Sequence, residues 1–155
     1  MNFFKQLVEH TEAKTVIWGK ETTITMDEAI ILPEAIVNTK LAWIENNKEN
    51  IIQFALEAED FLYNFNNFIS KEINKNGKFK LPDGTLLTET IEVEKLEKSI
   101  FIDSVSFYDE VYFNIDLGTI PDYFGGNLLS IEISGNDYEM EFTGMNGLVQ
   151  YLKKE

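Results

Sequence analysis

Three stretches in the last third of the chain alternate strictly between apolar and polar side chains. Successive side chains of a β-strand point to opposite faces, so this period of two predicts strands with one buried and one solvated face. Such strands favour an antiparallel sheet, and a Ser-Gly-Asn-Asp sequence at 134–137 predicts a hairpin turn between the last two. The three predicted strands are 110–117, 128–134 and 137–143.

A long helical pattern occupies the middle of the chain. From Pro33 to about Asn74 there is no second proline and no glycine. Apolar residues recur there in steps of three, four and seven, as on one face of a helix. The polar sequence Asn46-Asn47-Lys48 predicts a break, which gives two helices over 33–46 and 48–74. We expect a sheet to pack across the apolar face of the second helix.

Shorter patterns complete the predicted fold, which is a single α+β domain over residues 1–155. Its core is an antiparallel sheet with two central helices packed on the apolar face. The remaining predicted elements are a helix over 2–11, a hairpin over 14–26 that turns at Gly19-Lys20, a small hairpin over 78–87 that turns at Pro82-Asp83-Gly84, a surface helix over 88–98 and a strand over 100–107.

The composition excludes several kinds of site. The chain has no cysteine and one histidine, which rules out thiolate zinc sites, cysteine nucleophiles and any triad that does not use His10. His10 lies in the predicted N-terminal helix, where we expect it at the surface. The sequence therefore predicts no catalytic residue, no metal ligand and no cofactor, and we expect a protein that is not an enzyme.

Charge and hydropathy exclude two classes of partner. All 13 basic residues are lysines and the net charge is −14, which argues against nucleic-acid binding. The longest apolar runs, such as residues 29–32, are far too short to cross a bilayer. The first ten residues lack the continuous apolar segment of a secretory signal. We expect a cytoplasmic protein with no nucleic-acid or membrane partner.

Negative charge concentrates in the predicted sheet, because no basic residue balances its acids between Lys98 and Lys153. Strand alternation places several carboxylates on one solvated face, where they repel one another and attract a basic protein. An acidic surface also serves solubility alone, and carboxylates can bind divalent cations, so these alternatives stay open. The predicted partner-binding residues are Tyr112, Asp116, Glu132, Glu139 and Glu141 from the strands, with Asp122 and Tyr123 from the loop that follows.

The segment Gly118–Asn127 is the least generic part of the chain. The paired Gly125-Gly126 lacks the following lysine and helix of a phosphate loop, so a long inter-strand loop is the simple interpretation. A small-molecule-binding or hydrolytic domain that uses this loop is one alternative function. A structural subunit or homodimer that pairs through a sheet edge is another, and the sequence does not fix the oligomeric state.

Three sequences together resemble a bacterial domain family of unknown function: the hairpin at Trp18-Gly19, Trp43-Ile44-Glu45-Asn46, and Phe124-Gly125-Gly126-Asn127. A histidine commonly follows the paired glycine in that family, whereas Asn127 stands there in this chain. In character the chain is similar to the small acidic immunity proteins of bacterial toxin systems. That resemblance implies a cytosolic binding protein that neutralises a basic toxin.

Overall fold

The computed structural model describes residues 2–145, apart from the side chain of Glu59, and confirms the α+β class. A 3-10 turn at Ala58–Asp60 joins the third and fourth of five helices. The elements in chain order are α1 (Phe3–His10), β1 (Glu12–Ile17), β2 (Lys20–Met26), α2 (Glu34–Asn46), α3 (Lys48–Glu57), α4 (Phe61–Asn76), β3 (Phe79–Lys80), β4 (Leu86–Leu87), α5 (Val93–Ser99), β5 (Ile100–Phe107), β6 (Tyr112–Thr119), β7 (Leu129–Ser134) and β8 (Glu139–Met145).

Six strands form one mostly antiparallel sheet in the order β1-β2-β5-β6-β7-β8. The pairing of β2 with β5 is parallel, which departs from the wholly antiparallel sheet expected from sequence. The chain leaves the end of β2, passes through α2 to α5 and re-enters beside β2 in the same direction. A long helical crossover of this kind is what joins parallel strands. Strands β3 and β4 form a separate small hairpin.

The two faces of the sheet differ as the alternation predicts. The inward residues of β6 and β7 are buried, among them Phe113, Ile115, Ile131 and Ile133. Their neighbours in sequence point to the opposite face and are half-exposed. Buried residues of the sheet and of α2, α3 and α4 belong to one apolar cluster. The core therefore lies on one side of the sheet.

The prediction of two central helices is wrong, because three helices lie between β2 and β3. The predicted helix over 48–74 is interrupted at Ala58–Asp60, where Asp60 has a φ of +50°. A left-handed residue cannot continue a right-handed helix. The apolar period resumes at Phe61 and Phe65, which are both buried, so the sequence pattern conceals the break.

The last turn of α2 contacts two hairpin turns of the sheet. The first turn lies at Trp18-Gly19, one residue earlier than predicted, with φ values of +54° and +77°. The Trp18 indole N–H donates to the carbonyl oxygen of Ile44 at 3.0 Å. The ring of Trp43 stacks on Tyr138 in the β7–β8 turn, with centroids 4.4 Å apart. These contacts hold the sheet and α2 in one arrangement.

Candidate protein-binding face

The polar face of the sheet is the side opposite the core, and its residues form rows that cross the strands. Residues directly opposite each other on paired strands share a face. One row crosses all six strands, and a second row beside it contains Asp116 near its centre. The first row is Glu12, Thr25, Ser106, Asn114, Glu132 and Glu141, and the second is Lys14, Thr23, Ser104, Asp116 and Ser130.

Five of the seven predicted contact residues lie on this polar face. Tyr112 pairs with Ser134, which pairs with Glu139, so these three form a further row. Glu132 pairs with Glu141, and Asp116 lies in the neighbouring row. All of these side chains are exposed or half-exposed. The fold thus brings Tyr112, Asp116, Glu132, Glu139 and Glu141 together on one surface.

Carboxylates dominate the polar face. The six acids at strand positions of this face are Glu12, Glu21, Asp116, Glu132, Glu139 and Glu141. The ammonium of Lys20 reaches this face over the Phe101 ring, and Lys14 pairs with Glu21 at 3.5 Å. That exposed pair contributes little stability. Within residues 2–145 it is the only ion pair between described side chains, so no described lysine pairs with the four acids on β6 to β8.

Asp116 accepts more side-chain hydrogen bonds from described residues than the other acids of this face. Its carboxylate accepts hydrogen bonds from Ser104 Oγ at 3.1 Å, from Asn114 Nδ2 at 3.1 Å and from Ser130 Oγ. Three neutral donors therefore fix the orientation of a half-exposed negative charge. The small hydroxyl side chains around it leave room for a long basic side chain to approach. This arrangement can accept a lysine ammonium or an arginine guanidinium from another protein.

One apolar residue of this face is missed by the sequence analysis. Phe101 pairs with Gly118, and its Cζ would lie 2.8 Å from a Cβ at that glycine, so the ring covers Gly118 on the Asp116 side. Lys20 Nζ lies 3.6 Å from the centroid of the Phe101 ring. A register shift between Ile102 and Ser104 interrupts the alternation of β5, which hides the orientation of Phe101 in the sequence.

The two predicted contact residues from the loop do not belong to this face. Tyr123 is completely buried, with its ring centroid 6.0 Å from that of Phe65 in α4, so its prediction as a surface anchor is wrong. Asp122 is half-buried and its backbone N–H donates to Asp83 Oδ2 at 2.9 Å. The loop between β6 and β7 folds toward the helices because its aromatic residues join the core.

The interior of that loop is filled by its own side chains. Phe124 is buried against Phe61, with ring centroids 4.9 Å apart. Gly125 and Gly126 have φ values of +69° and +83°, which explains their identity as turn residues. Asn127 Nδ2 closes the turn by donating to the carbonyl oxygen of Gly125 at 2.9 Å. The loop packs as a connection between β6 and β7, and a ligand site in it stays an alternative prediction.

The buried hydroxyl of Tyr123 is an exception to the well-paired interior. It has no hydrogen-bond partner among the described residues. Burial, and the negative charge of Asp83, raise the pKa of the Tyr123 hydroxyl. Backbone and side-chain hydrogen bonds from Thr85, with the backbone N–H of Asp122, lower the pKa of Asp83. Tyr123 therefore stays protonated while Asp83 stays ionised at neutral pH.

A metal ion usually needs three or more side-chain ligands that lie close together. Within residues 2–145, no three histidine or acidic side chains are arranged to hold one. His10 is exposed at the end of α1, beside Glu12. No helix within residues 2–145 is long and apolar enough to span a membrane.

Comparison with known proteins gives no relative: no family model, no curated protein and no solved structure matches the chain. The likeness of the Trp18, Trp43 and Gly125-Gly126 segments to a bacterial family stays a prediction. Function is therefore inferred from the polar face itself.

Proposed function

We propose that this protein is a non-enzymatic binding module whose polar face recognises a basic protein. The observation that carries the proposal is the arrangement of six carboxylates, Asp116 among them, in rows on one face, where Lys14 and Lys20 bring the positive charge found among the described residues. Like charges on neighbouring strands destabilise the free protein. A basic partner would relieve that repulsion, and the same field would accelerate its approach.

The size of the face fits a protein partner. Six strands spaced about 4.8 Å apart make the face about 24 Å wide. Seven residues along a strand, each rising about 3.4 Å, make it about 20 Å or more in height. A typical interface buries about 800 Å² of each partner, so this face and its rim would supply one. The oriented carboxylate of Asp116 lies near its centre, where residues that dominate binding energy usually lie.

The partner class that we propose is a basic toxin domain, with this protein as its immunity protein. The resemblance to acidic immunity proteins supports that class, and the charge of the polar face supports the basic character of the toxin. In this function the protein needs no catalytic group. It would neutralise the toxin by covering a basic surface that the toxin uses.

The test compares two variants with the same charge change. Glu132→Lys with Glu141→Lys reverses two charges on the polar face, whereas Glu28→Lys with Glu89→Lys reverses two exposed charges in loops away from it. Tagged wild-type protein and both variants would be incubated with lysate of the source organism, and bound proteins identified at low and high salt. The captured partner would then be purified for association kinetics.

We expect the wild-type protein and the loop variant to capture the same basic protein in stoichiometric amounts. The polar-face variant should lose it, mainly through a slower association rate at low salt. Equal capture by the polar-face variant would contradict the proposal. A wild-type homodimer that forms through this face at high salt, seen by sedimentation, would also contradict it, because the acids would then face a second copy.

A further inference from the structure

A concave surface lies on the side of β8 opposite the polar face. We name it the α3 groove. It has a volume of about 480 Å³ and lies between α3 and the β7–β8 turn. Asn50, Gln53 and Glu57 line it from one face of α3, since positions three, four and seven apart share a helix face. Asp137 and Tyr138 line it from the turn.

The α3 groove presents carboxylate and amide oxygens that can accept hydrogen bonds. Asn50 Nδ2 donates to Asn47 Oδ1 at 3.4 Å, and Gln53 Nε2 donates to Glu57 Oε1 at 3.3 Å. These bonds engage amide donors of Asn50 and Gln53, whereas their oxygens accept no hydrogen bond from a described residue. The carboxylates of Glu57 and Asp137 add negative charge. No lysine or histidine is among the lining residues, although the ammonium of buried Lys40 lies 5.8 Å from the centroid of the Tyr138 ring. The lining itself therefore complements a ligand that brings donors and positive charge.

Aromatic rings line the same space. Trp43 and Tyr138 stack on each other with their planes 6° apart, which leaves their edges and one face of each ring to contact a ligand, and Phe54 is also in the lining. A guanidinium group is planar, carries five N–H donors and packs its faces on aromatic rings. An ammonium group is more strongly hydrated and has fewer donors. Rings, amide oxygens and carboxylates in one groove therefore favour guanidinium over ammonium.

We propose that the α3 groove binds an arginine side chain of the basic partner. The identity of that partner rests on the proposed function, whereas the groove chemistry does not. The chain itself contains no arginine, so the ligand must come from a different protein and not from a second copy. Glu139 lies on the polar face between Tyr138 and Met140, which both line the groove. A partner that covers the β8 edge would therefore contact both surfaces.

The experiment uses arginine analogues as probes on the full chain. N-acetyl-arginine amide would be titrated into ¹⁵N-labelled protein at low salt, with N-acetyl-citrulline amide as the uncharged isostere and N-acetyl-lysine amide as the second cation. We expect the Trp43 indole and the Asn50 and Gln53 side-chain amides to shift with a dissociation constant in the millimolar range, as for a small ligand. Citrulline and lysine analogues should bind at least about tenfold more weakly.

Variants separate this proposal from the proposed function. Glu57→Gln with Asp137→Asn should weaken the arginine analogue at least about tenfold, whereas Glu28→Gln with Glu89→Gln should not. The polar-face variant Glu132→Lys with Glu141→Lys should still bind it, even if the partner is lost. Shifts confined to the polar face, equal shifts with citrulline or with a neutral saccharide, or no shifts at all would each overturn the arginine site.

Discussion

Glu132 on β7 and Glu141 on β8 lie directly opposite each other, so two carboxylates of like charge share one face of the sheet. Opposite residues on antiparallel strands have Cβ atoms about 5 Å apart. On its other side Glu132 pairs with the neutral Asn114. The fold therefore keeps these two like charges close together at the edge of the polar face, and they repel each other in the free protein.

Removing one of these two charges should stabilise the isolated protein. We expect Glu132→Gln to raise the free energy of unfolding by roughly 0.2–1 kcal/mol at low salt, because it ends the repulsion from Glu141. The gain should shrink at high salt, which screens exposed charges. Urea unfolding at two salt concentrations measures both effects. Glu89→Gln, at an exposed loop position, is the control, and an equal gain there would mean that only net charge matters.

The alternation of the last three strands is enough to predict which acids share a face. It works because a strand has a fixed period of two and because the apolar residues of β6 and β7 leave only one register that buries them. The predicted strand over 100–107 is confirmed with the same bounds. Five of the predicted contact residues follow directly from this pattern.

Other features depend on contacts that sequence patterns do not contain. The parallel pairing of β2 with β5 follows from the path of the chain through the helices between them. The break at Asp60 is hidden because apolar residues continue on both sides of it. Polar and glycine residues near Tyr123 in the sequence favour a surface position, yet the aromatic residues of α4 provide a buried place for its ring.

Substitution of Asp116 should separate the stability of the sheet from binding. Asp116→Ala leaves the Ser104, Asn114 and Ser130 donors without their acceptor, and we expect a loss of roughly 1–3 kcal/mol in the free energy of unfolding. Asp116→Asn keeps an acceptor oxygen but no charge, so it should cost less stability. Both variants should weaken a basic partner. Unfolding curves and binding to the captured partner test this, and full affinity of Asp116→Asn would contradict it.

Because Phe101 contacts Gly118, substitution of Gly118 should change the free energy of unfolding in opposite directions with and without the Phe101 ring. Gly118→Ala should destabilise the protein by roughly 1–3 kcal/mol, because its Cβ would lie 2.8 Å from Phe101 Cζ. In a Phe101→Ala background the same substitution should instead stabilise by roughly 0.5–1 kcal/mol, since alanine has less conformational freedom to lose than glycine. A double-mutant cycle by urea unfolding measures the coupling. Additive effects would mean that the ring does not constrain this position.

The indole of Trp18 should stabilise the junction between the first hairpin and α2. Trp18→Phe removes the hydrogen bond to the Ile44 carbonyl oxygen but keeps a ring at the turn. We expect a loss of roughly 0.5–1.5 kcal/mol, the usual value of one such bond. Glu45→Gln, which keeps an oxygen to accept from the Trp18 backbone N–H, should cost less. Thermal and urea unfolding test both, and wild-type stability of Trp18→Phe would show that the bond contributes nothing.

Because the Tyr123 hydroxyl has no partner among the described residues, its removal should stabilise the protein and change how that stability depends on pH. Tyr123→Phe removes a buried polar group that has no partner among the described residues, so we expect a gain of about 1 kcal/mol at neutral pH. Burial and the charge of Asp83 raise the pKa of this hydroxyl in the folded protein. The unfolded chain therefore ionises first, and wild-type stability should fall as the pH rises above about 10, the ordinary pKa of tyrosine.

Tyr123→Phe should lack this part of the alkaline loss, so the gap in stability between the variant and the wild-type protein should widen above pH 10 until the folded hydroxyl also ionises. Tyr63→Phe is the matched control because Tyr63 is 70% exposed and its hydroxyl reaches solvent before and after unfolding. Urea unfolding between about pH 8 and pH 11, the range around the ordinary pKa of tyrosine, compares all three proteins. A constant gap across that range would mean that the Tyr123 hydroxyl is solvated in the folded protein.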